Sequence, residues 1–213
     1  MTNLQLQLRF TQQLGISINK PIDIRTIEIE YYLNEGLNTF IKNWYSRYEM
    51  DENARKRLAP LVSTSRLTAD SIGAYPNSQI FTLPDTCRYV VQERCDIKIQ
   101  DCNSNIVTSS NVTVKPIKLD YYNLHIKNPF KMPYKELLWR IDLGNRTHTI
   151  IYGTDTIAIE YYYVTYLRNH NYIHLISQNP ETTSCEILPE YHNEIVEEAV
   201  RIAIQTLNLI PNK

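Results

Sequence analysis

The sequence predicts an α+β protein in which N- and C-terminal helices form a helical module. A mostly antiparallel β-rich module is inserted between them. Three observations carry this prediction. Apolar residues recur at steps of three and four near both ends of the chain. Apolar and polar residues alternate through most of 88–177. The two helical segments lie far apart in sequence, yet each has an apolar face, and the simplest cover for one is the other.

The elements follow in order. Residues 1–25 show no sustained period, and with Pro21 and many Gln and Asn they read as an extended arm. A helix then starts at Thr26, a suitable N-cap, with Glu28 and Glu30 in its first turns. Leu33, Leu37, Phe40, Ile41, Trp44 and Tyr48 form its apolar stripe, and Glu35, Asn38 and Lys42 its polar side. DENARKRLAP (51–60) reads as a second helical piece that Pro60 stops. Residues 61–79, rich in Ser and Thr with Gly73, Pro76 and Asn77, have linker composition. Five or six strands follow at 88–100, 111–126, 137–144, 147–153, 156–168 and 172–177. Turn chemistry separates them at Asp101–Asn105, Asn128-Pro129, Gly144-Asn145 and Gly153–Asp155, the last two placed to close successive hairpins. The predicted division is an arm over 1–25, a helical module over 26–77 and 187–213, and a β-rich module over 78–186.

The closing segment ILPEYHNEIVEEAVRIAIQT (187–206) has Pro189 at its first turn and Glu190 near the positive end of the helix dipole. Its apolar positions sweep roughly 200° of the wheel at about 100° per residue, wider than one partner covers. The Ile195/Ala199/Ile202/Ala203 sector is expected to meet the 26–48 helix. Val200, Ile204 and Leu207 are expected to meet a neighbouring subunit or another protein.

Composition narrows the function classes. With 22 Lys+Arg against 23 Asp+Glu, the chain is not a basic nucleic-acid binder, though it could line a path that nucleic acid crosses. Sixteen tyrosines stand against four phenylalanines, which suits interfaces or a Tyr-rich β core. Tyr161-Tyr162-Tyr163 in one strand must point to alternating faces, so both faces are aromatic. Their cover is either a second sheet of the same chain, the preferred reading, or another chain. Cys87, Cys95, Cys102 and Cys185 form no CxxC pair, so neither zinc nor any other metal is expected, and the thiols read as buried in a reducing compartment. The sequons at Asn111 and Asn145 then read as chance matches. No run reaches the ~20 apolar residues of a membrane span, and the start lacks a secretory pattern.

Catalytic constellations are not evident. His170 and His174 have HxxxH spacing, but a turn between strands separates them. Glu194, Glu197 and Glu198 read as a solvated helix face, and His192 as a neutral ring in the first turn of that helix. Arg55-Lys56-Arg57 reads as a solvated helix end, with contact to an acidic partner or passing DNA as the functional alternative. No cofactor is expected.

One arrangement is distinctive. Asn128-Pro129-Phe130 with Pro133 precedes Trp139-Arg140; a strand ends in Tyr166-Leu167-Arg168; Leu188-Pro189-Glu190 leads an amphipathic helix. Together with IEIEYYLNEGLNTFIKNWY (27–45), this order resembles the connector, or ring, proteins of crAss-like tailed bacteriophages. One departure is Asn169-His170-Asn171-Tyr172, where that family often has a basic residue and prolines. The resemblance implies a non-enzymatic virion subunit made in the host bacterial cytoplasm. It also implies a homo-oligomeric ring, twelvefold to match a portal protein, that contacts the portal and adjacent tail or ring proteins. The ring would surround the DNA channel, touch DNA transiently, and contact no membrane. The alternative is a tail nozzle or tail-tip β module that binds host-surface glycan through its tyrosines.

Overall fold

The computed structural model describes residues 1–18, 23–100, 105–175 and 185–207. In chain order the helices are α1 (Asn3–Ile18), α2 (Thr26–Tyr45), α3 (Glu52–Leu58), α4 (Leu119–His125) and α5 (His192–Thr206). The strands are β1 (Val62–Leu67), β2 (Ser71–Ile72), β3 (Ser78–Thr82), β4 (Cys87–Gln100), β5 (Ile106–Pro116), β6 (Leu137–Asp142), β7 (Thr147–Ile151) and β8 (Ile157–Arg168). They divide into a helical unit, Met1–Leu61 with His170–Lys213, and a β unit, Val62–Asn169. The α+β class holds. Residues 62–77, expected in the helical module, carry strands of the β unit, and the described part of 170–186 belongs to the helical unit.

In the helical unit, α2 begins one residue earlier than expected in its cap. Arg25 is the N-cap, its N–H donating to Glu28, and Thr26 is the first helical residue. The expected stripe is buried at Leu33, Leu37, Phe40 and Ile41, while Tyr48 lies beyond the helix. Asp51 caps α3 by accepting the Asn53 N–H at 2.8 Å. Gly36 brings α2 and α5 together. A Cβ there would lie 2.7 Å from the Ile195 carbonyl oxygen and 2.8 Å from the Ala199 Cβ. Ile195, Ala199 and Ala203 are fully buried, as expected for this contact, and Ile202 is half-buried.

The expected extended arm is instead α1. Its buried Leu6, Phe10 and Leu14 lie at i, i+4 spacing. This stripe is obscured in sequence because Leu4, Leu6, Leu8 and Phe10 also alternate like a strand, and Leu4 and Leu8 turn out to be exposed. Phe10 stacks on Tyr32 of α2 with ring centroids 6.2 Å apart.

The expected strand at 172–177 is not a strand over its described residues, 172–175. Its backbone bonds go to side chains of α1 and α2 rather than to a sheet, the Asn3 amide donating to the His174 carbonyl at 2.8 Å. Buried Asn34 accepts the Ile173 N–H at 2.9 Å and donates to the Ile173 carbonyl at 3.0 Å. Glu30 accepts the Leu175 N–H at 2.9 Å.

The β unit is one eight-stranded sheet in the order β1-β8-β4-β5-β6-β7-β3-β2, not the five or six strands of the sequence reading. All pairs are antiparallel except β5–β6. The Ser/Thr-rich 61–79 region, read as linker, supplies β1, β2 and part of β3. Its hydroxyls suit a sheet edge, as where Thr64 meets Thr165 at 3.0 Å. The stretch 111–126 is strand only to Pro116 and then becomes α4, which makes the crossover that a parallel pair requires. Gly144-Asn145 closes the β6–β7 hairpin as expected. Gly153–Asp155 closes none, because β7 pairs with β6 and β3, and β8 with β4 and β1. The turn at Asp101–Asn105 lies, apart from Asn105, outside the described residues.

The sheet is curled rather than doubled. In a flat sheet, Phe81 on β3 and Tyr162 on β8 would be five strand spacings, roughly 24 Å, apart. Their rings are 5.1 Å apart. Curling lets the inward residues of six strands share one core, among them Cys95, Ile97, Val112, Leu138, Ile150 and Val164. This replaces the preferred two-layer sandwich with a half-barrel closed around its own concave face. The bend has a local cause at Asp96. Opposite it, β5 and β8 each carry an irregularity in register, with Asn111 at φ 62° on one side and Glu160 beside the other. On the outer face, Trp139, Ile141 and Ile151 pack with Tyr122 of α4.

Gly36→Val should destabilise the helical unit by about 1–3 kcal/mol through overpacking. A lowered thermal midpoint of Trp44 fluorescence in a Trp139→Phe background checks this. An unchanged midpoint would contradict the close approach.

Candidate functional site

Inside the curl, four ionisable side chains occupy inward positions otherwise held by apolar groups. Glu93 precedes Cys95 and Ile97 on the inner face of β4. Arg140 follows Leu138 on β6, His148 precedes Ile150 on β7, and Tyr162 precedes Val164 on β8. Arg140 Nη1 donates to His148 Nε2 at 3.0 Å. The other ring nitrogen, Nδ1, therefore carries the proton and meets the Tyr162 hydroxyl at 2.8 Å. That hydroxyl donates to Glu93, whose carboxylate also faces Arg140 Nε at 3.5 Å. Burial, helped by Arg140, lowers the His148 pKa to about 4. Burial and the Glu93 charge push the Tyr162 phenol far up, and burial raises the Glu93 carboxyl against the pull of Arg140 and Tyr162. The result is a directed, charge-compensated chain of donors. It fixes the curl and holds no evident substrate.

The outer face of β8 places Tyr161 and Tyr163 opposite Tyr162, as alternation requires. Arginines cover both rings. Arg66 lies 4.5 Å from the Tyr161 centroid and Arg94 4.9 Å from that of Tyr163. Arg94 also donates to Asn111 at 2.8 Å, and Asp96 accepts the Asn111 N–H at 3.0 Å.

The motif residues of the β unit fall into two groups. Trp139 is a buried anchor of the outer cluster and Arg140 belongs to the inner chain. Asn128, Pro129, Phe130 and Pro133 build the loop after α4. Asn128 accepts the Phe130 N–H at 3.0 Å through its side chain, and its carbonyl accepts the N–H groups of Lys131 and Met132. Pro133 is buried where Gly153 passes; a Cβ on Gly153 would stand 2.0 Å from the Pro133 oxygen. Phe130 projects outward and is 95% exposed. Leu124, at 73%, and Tyr134, at 52%, are its exposed neighbours in sequence. Arg168 ends β8, opposite Cys87 of β4.

In the helical unit the basic run is engaged by the chain itself. Arg55 donates to the Tyr48 and Glu49 carbonyls, and Lys56 pairs with Glu52 at 3.1 Å. The Arg57 guanidinium lies between Trp44 and Tyr191, 4.0 and 4.3 Å from their centroids, and pairs with Glu194. It is a packed side chain, whereas Arg55 and Lys56 of the same run are exposed, as expected of a solvated helix end. Beside it, Phe40, Trp44, Arg47, Glu194, Glu197 and Glu198 line an open depression of about 450 Å³. Pro189 opens the 3-10 turn Pro189–Tyr191 that leads into α5.

Of the expected intermolecular sector, Val200 is only 5% exposed, Ile204 half-buried and Leu207 41% exposed. Val200 and Ile204 border a depression together with Gln13, Ile16 and Ser17 of α1. On the Val200 flank α5 meets α1 of the same chain, while Leu207 stays exposed. His192 is buried between the Ile187 carbonyl and the Met1 amine, at 2.8 and 2.9 Å, which leaves no opening for an anion. His170 and His174 both lie against Tyr172, at 5.9 and 6.5 Å between rings, and His174 Nδ1 is 3.4 Å from Glu30. Cys87, Cys95 and Cys185 are free thiols; Cys102 lies outside the described residues. Among the described residues, no helix is long and apolar enough to cross a membrane.

Sequence reasoning missed Glu93, His148 and Tyr162 as partners of Arg140. The available signal was four ionisable residues on inward registers of separate strands.

Two outcomes follow. The unfolded chain holds its histidine near the ordinary pKa of about 6.5. It therefore binds more protons than the folded chain between that value and about 4. Stability of the β unit should be full above about pH 6.5 and fall as pH drops toward 4, by up to about 3 kcal/mol. Protonation of Glu93, whose pKa is raised, offsets part of this at the acid end. Trp139 fluorescence melts in a Trp44→Phe background should show the loss, and His148→Gln should flatten it. Separately, Val200→Asp should unfold the helical unit in a circular-dichroism melt rather than merely block assembly. A folded, unassembled variant would restore the intermolecular assignment.

A family model described as phage tail ring protein 3/4 matches residues 18–213. The chain is also similar to Ring protein 3 of Bacteroides phage crAss001, with 25% identity over 224 aligned positions. The alignment covers 96% of this chain and 95% of that protein.

Proposed function

We propose that this chain, which belongs to the phage tail ring protein 3/4 family, is one subunit of an oligomeric head–tail connector ring that surrounds the DNA channel. The family match over 18–213 carries the reading. A structural virion component follows from it, and the connector level, the portal as partner and a twelvefold count are the finer parts of the proposal. The build of the chain supports it. The ionisable groups inside the β unit are tied to one another by hydrogen bonds, which suits a scaffold that holds its shape. The near-balance of 22 basic and 23 acidic residues suits a wall that DNA passes without being held. Arg57 is packed, which leaves only Arg55 and Lys56 of the basic run exposed, so contact with DNA would be brief and unspecific.

The glycan-binding alternative has less behind it. Sugar stacking needs an open aromatic face, and at Tyr161 and Tyr163 arginine side chains already lie over the rings.

Mass photometry and negative-stain imaging of the full chain, alone and with its portal, test the proposal. The expected outcome is a closed ring at an integer multiple of the 25.0 kDa subunit mass, twelve copies on the portal. A strict monomer that binds no portal or tail component would overturn it.

A further inference from the structure

We propose that two copies of the chain pair edge to edge through β5, antiparallel over Ile106–Ser110, with Thr108 on the twofold axis. The contact belongs to subunits outside the ring and does not depend on the ring reading. A twofold contact closes on itself at two copies and cannot propagate a ring.

One edge of β5 is open over half its length. On one side the strand pairs with β4 from Ile106 to Thr113. On the other, β6 joins it only from Thr113 to Pro116. Ile106–Val112 therefore has no backbone partner on that side among the described residues. The side chains follow the same division. Val107 lies opposite Ile99, which packs on the inner core, so it takes an inward position like Val112 and Val114. Those two are 4% and 6% exposed, whereas Val107 is 55% exposed and Ile106 68%.

Nothing in this edge guards against pairing. Open edges are ordinarily blunted by lysine, proline or an inward charge. Ile106-Val107-Thr108-Ser109-Ser110 contains none of these, and three of the five are β-branched. Lys98, opposite Thr108 on β4, is already paired with Glu160 at 3.1 Å.

The flanking strand selects the occupant. β6 begins beside Thr113 on the same edge. A strand laid parallel to β5 and continuing past that level would run into Leu137. A second β5 laid antiparallel avoids the collision, because its onward course to Pro116 points the other way, past the β4–β5 turn. It also offers an open stretch of the same length. Side-chain alternation agrees with this pairing. About Thr108, Val107 meets Ser109 on the inner face; on the outer face Ile106 meets Ser110 and Thr108 meets its own copy. The β8-β4-β5 ribbons of the two copies become one six-stranded sheet at this level, and both copies of Ile106 and Val107 gain a neighbouring strand.

The test uses the full chain without portal, below the concentration at which rings form. Sedimentation equilibrium should show a species at twice the 25.0 kDa subunit mass. Thr108→Lys, which sets like charges opposite each other, should weaken this dimer at least tenfold while its melting curve matches wild type. In a Cys102→Ser background, Thr108→Cys should form an interchain disulfide under mild oxidation, since directly opposite residues lie within disulfide reach. Thr113→Cys, on the same strand but beside β6, should not. A strictly monomeric wild type, a dimer that Thr108→Lys leaves intact, or equal cross-linking at 108 and 113 overturns the contact. Each of these results leaves the ring reading standing, because rings on the portal do not use this edge.

Discussion

The curl of the β unit depends on one chain of hydrogen bonds. Arg140, His148, Tyr162 and Glu93 come from four strands that no hairpin joins into a single local unit, apart from β6 with β7. They can meet only if the sheet bends on itself. Apolar burial favours any compact arrangement of the inward face and is non-directional. The donor chain is directional. Arginine must give to a ring nitrogen, the other nitrogen must give to a phenol, and the phenol must give to a carboxylate. Removing one member strands its neighbours in the interior at about 1–3 kcal/mol for each unsatisfied group. The degree of curl is therefore specified more narrowly than packing alone would specify it.

The helical unit solves a different problem. α5 is apolar over more than one face, and the chain covers it twice, with α2 through the Gly36 approach and with α1 on the flank that holds Val200. The remaining polar requirement comes from 172–175, described residues that run along α2 without joining any sheet. Asn34 and Glu30 stand in for the missing neighbour strand. Burial at the centre of α2 thus serves packing and backbone satisfaction at once.

Legibility in the sequence followed the length of each pattern. α2, α5 and the long strands β4 and β8 sustain one period over many residues, and each was readable. α1 carries two periods at once, and the solvent face resolves them only after folding. β1, β2 and β3 are short and rich in hydroxyls, so their composition matches a linker until an edge position is known. The segment at 172–175 alternates like a strand, but its hydrogen-bond partners lie about 140 residues away in α2. The motif around Phe130 was visible as a motif; that its ring points into solvent was not. Arg57 looked like one charge of three, and its sandwich needs Tyr191, which is distant in sequence.

The corners of the β unit are cut in asparagine. Positive φ angles fall at Asn77, Asn111 and Asn145, with Arg146 and a single glycine, Gly144, beside the last. Only five glycines serve all 213 residues. An asparagine accepts some strain in the left-handed region, but its unfolded chain wanders less than that of a glycine. The corners of this half-barrel therefore act less as swivels than as set squares. Ordering these corners therefore costs the chain less backbone entropy than glycines there would cost.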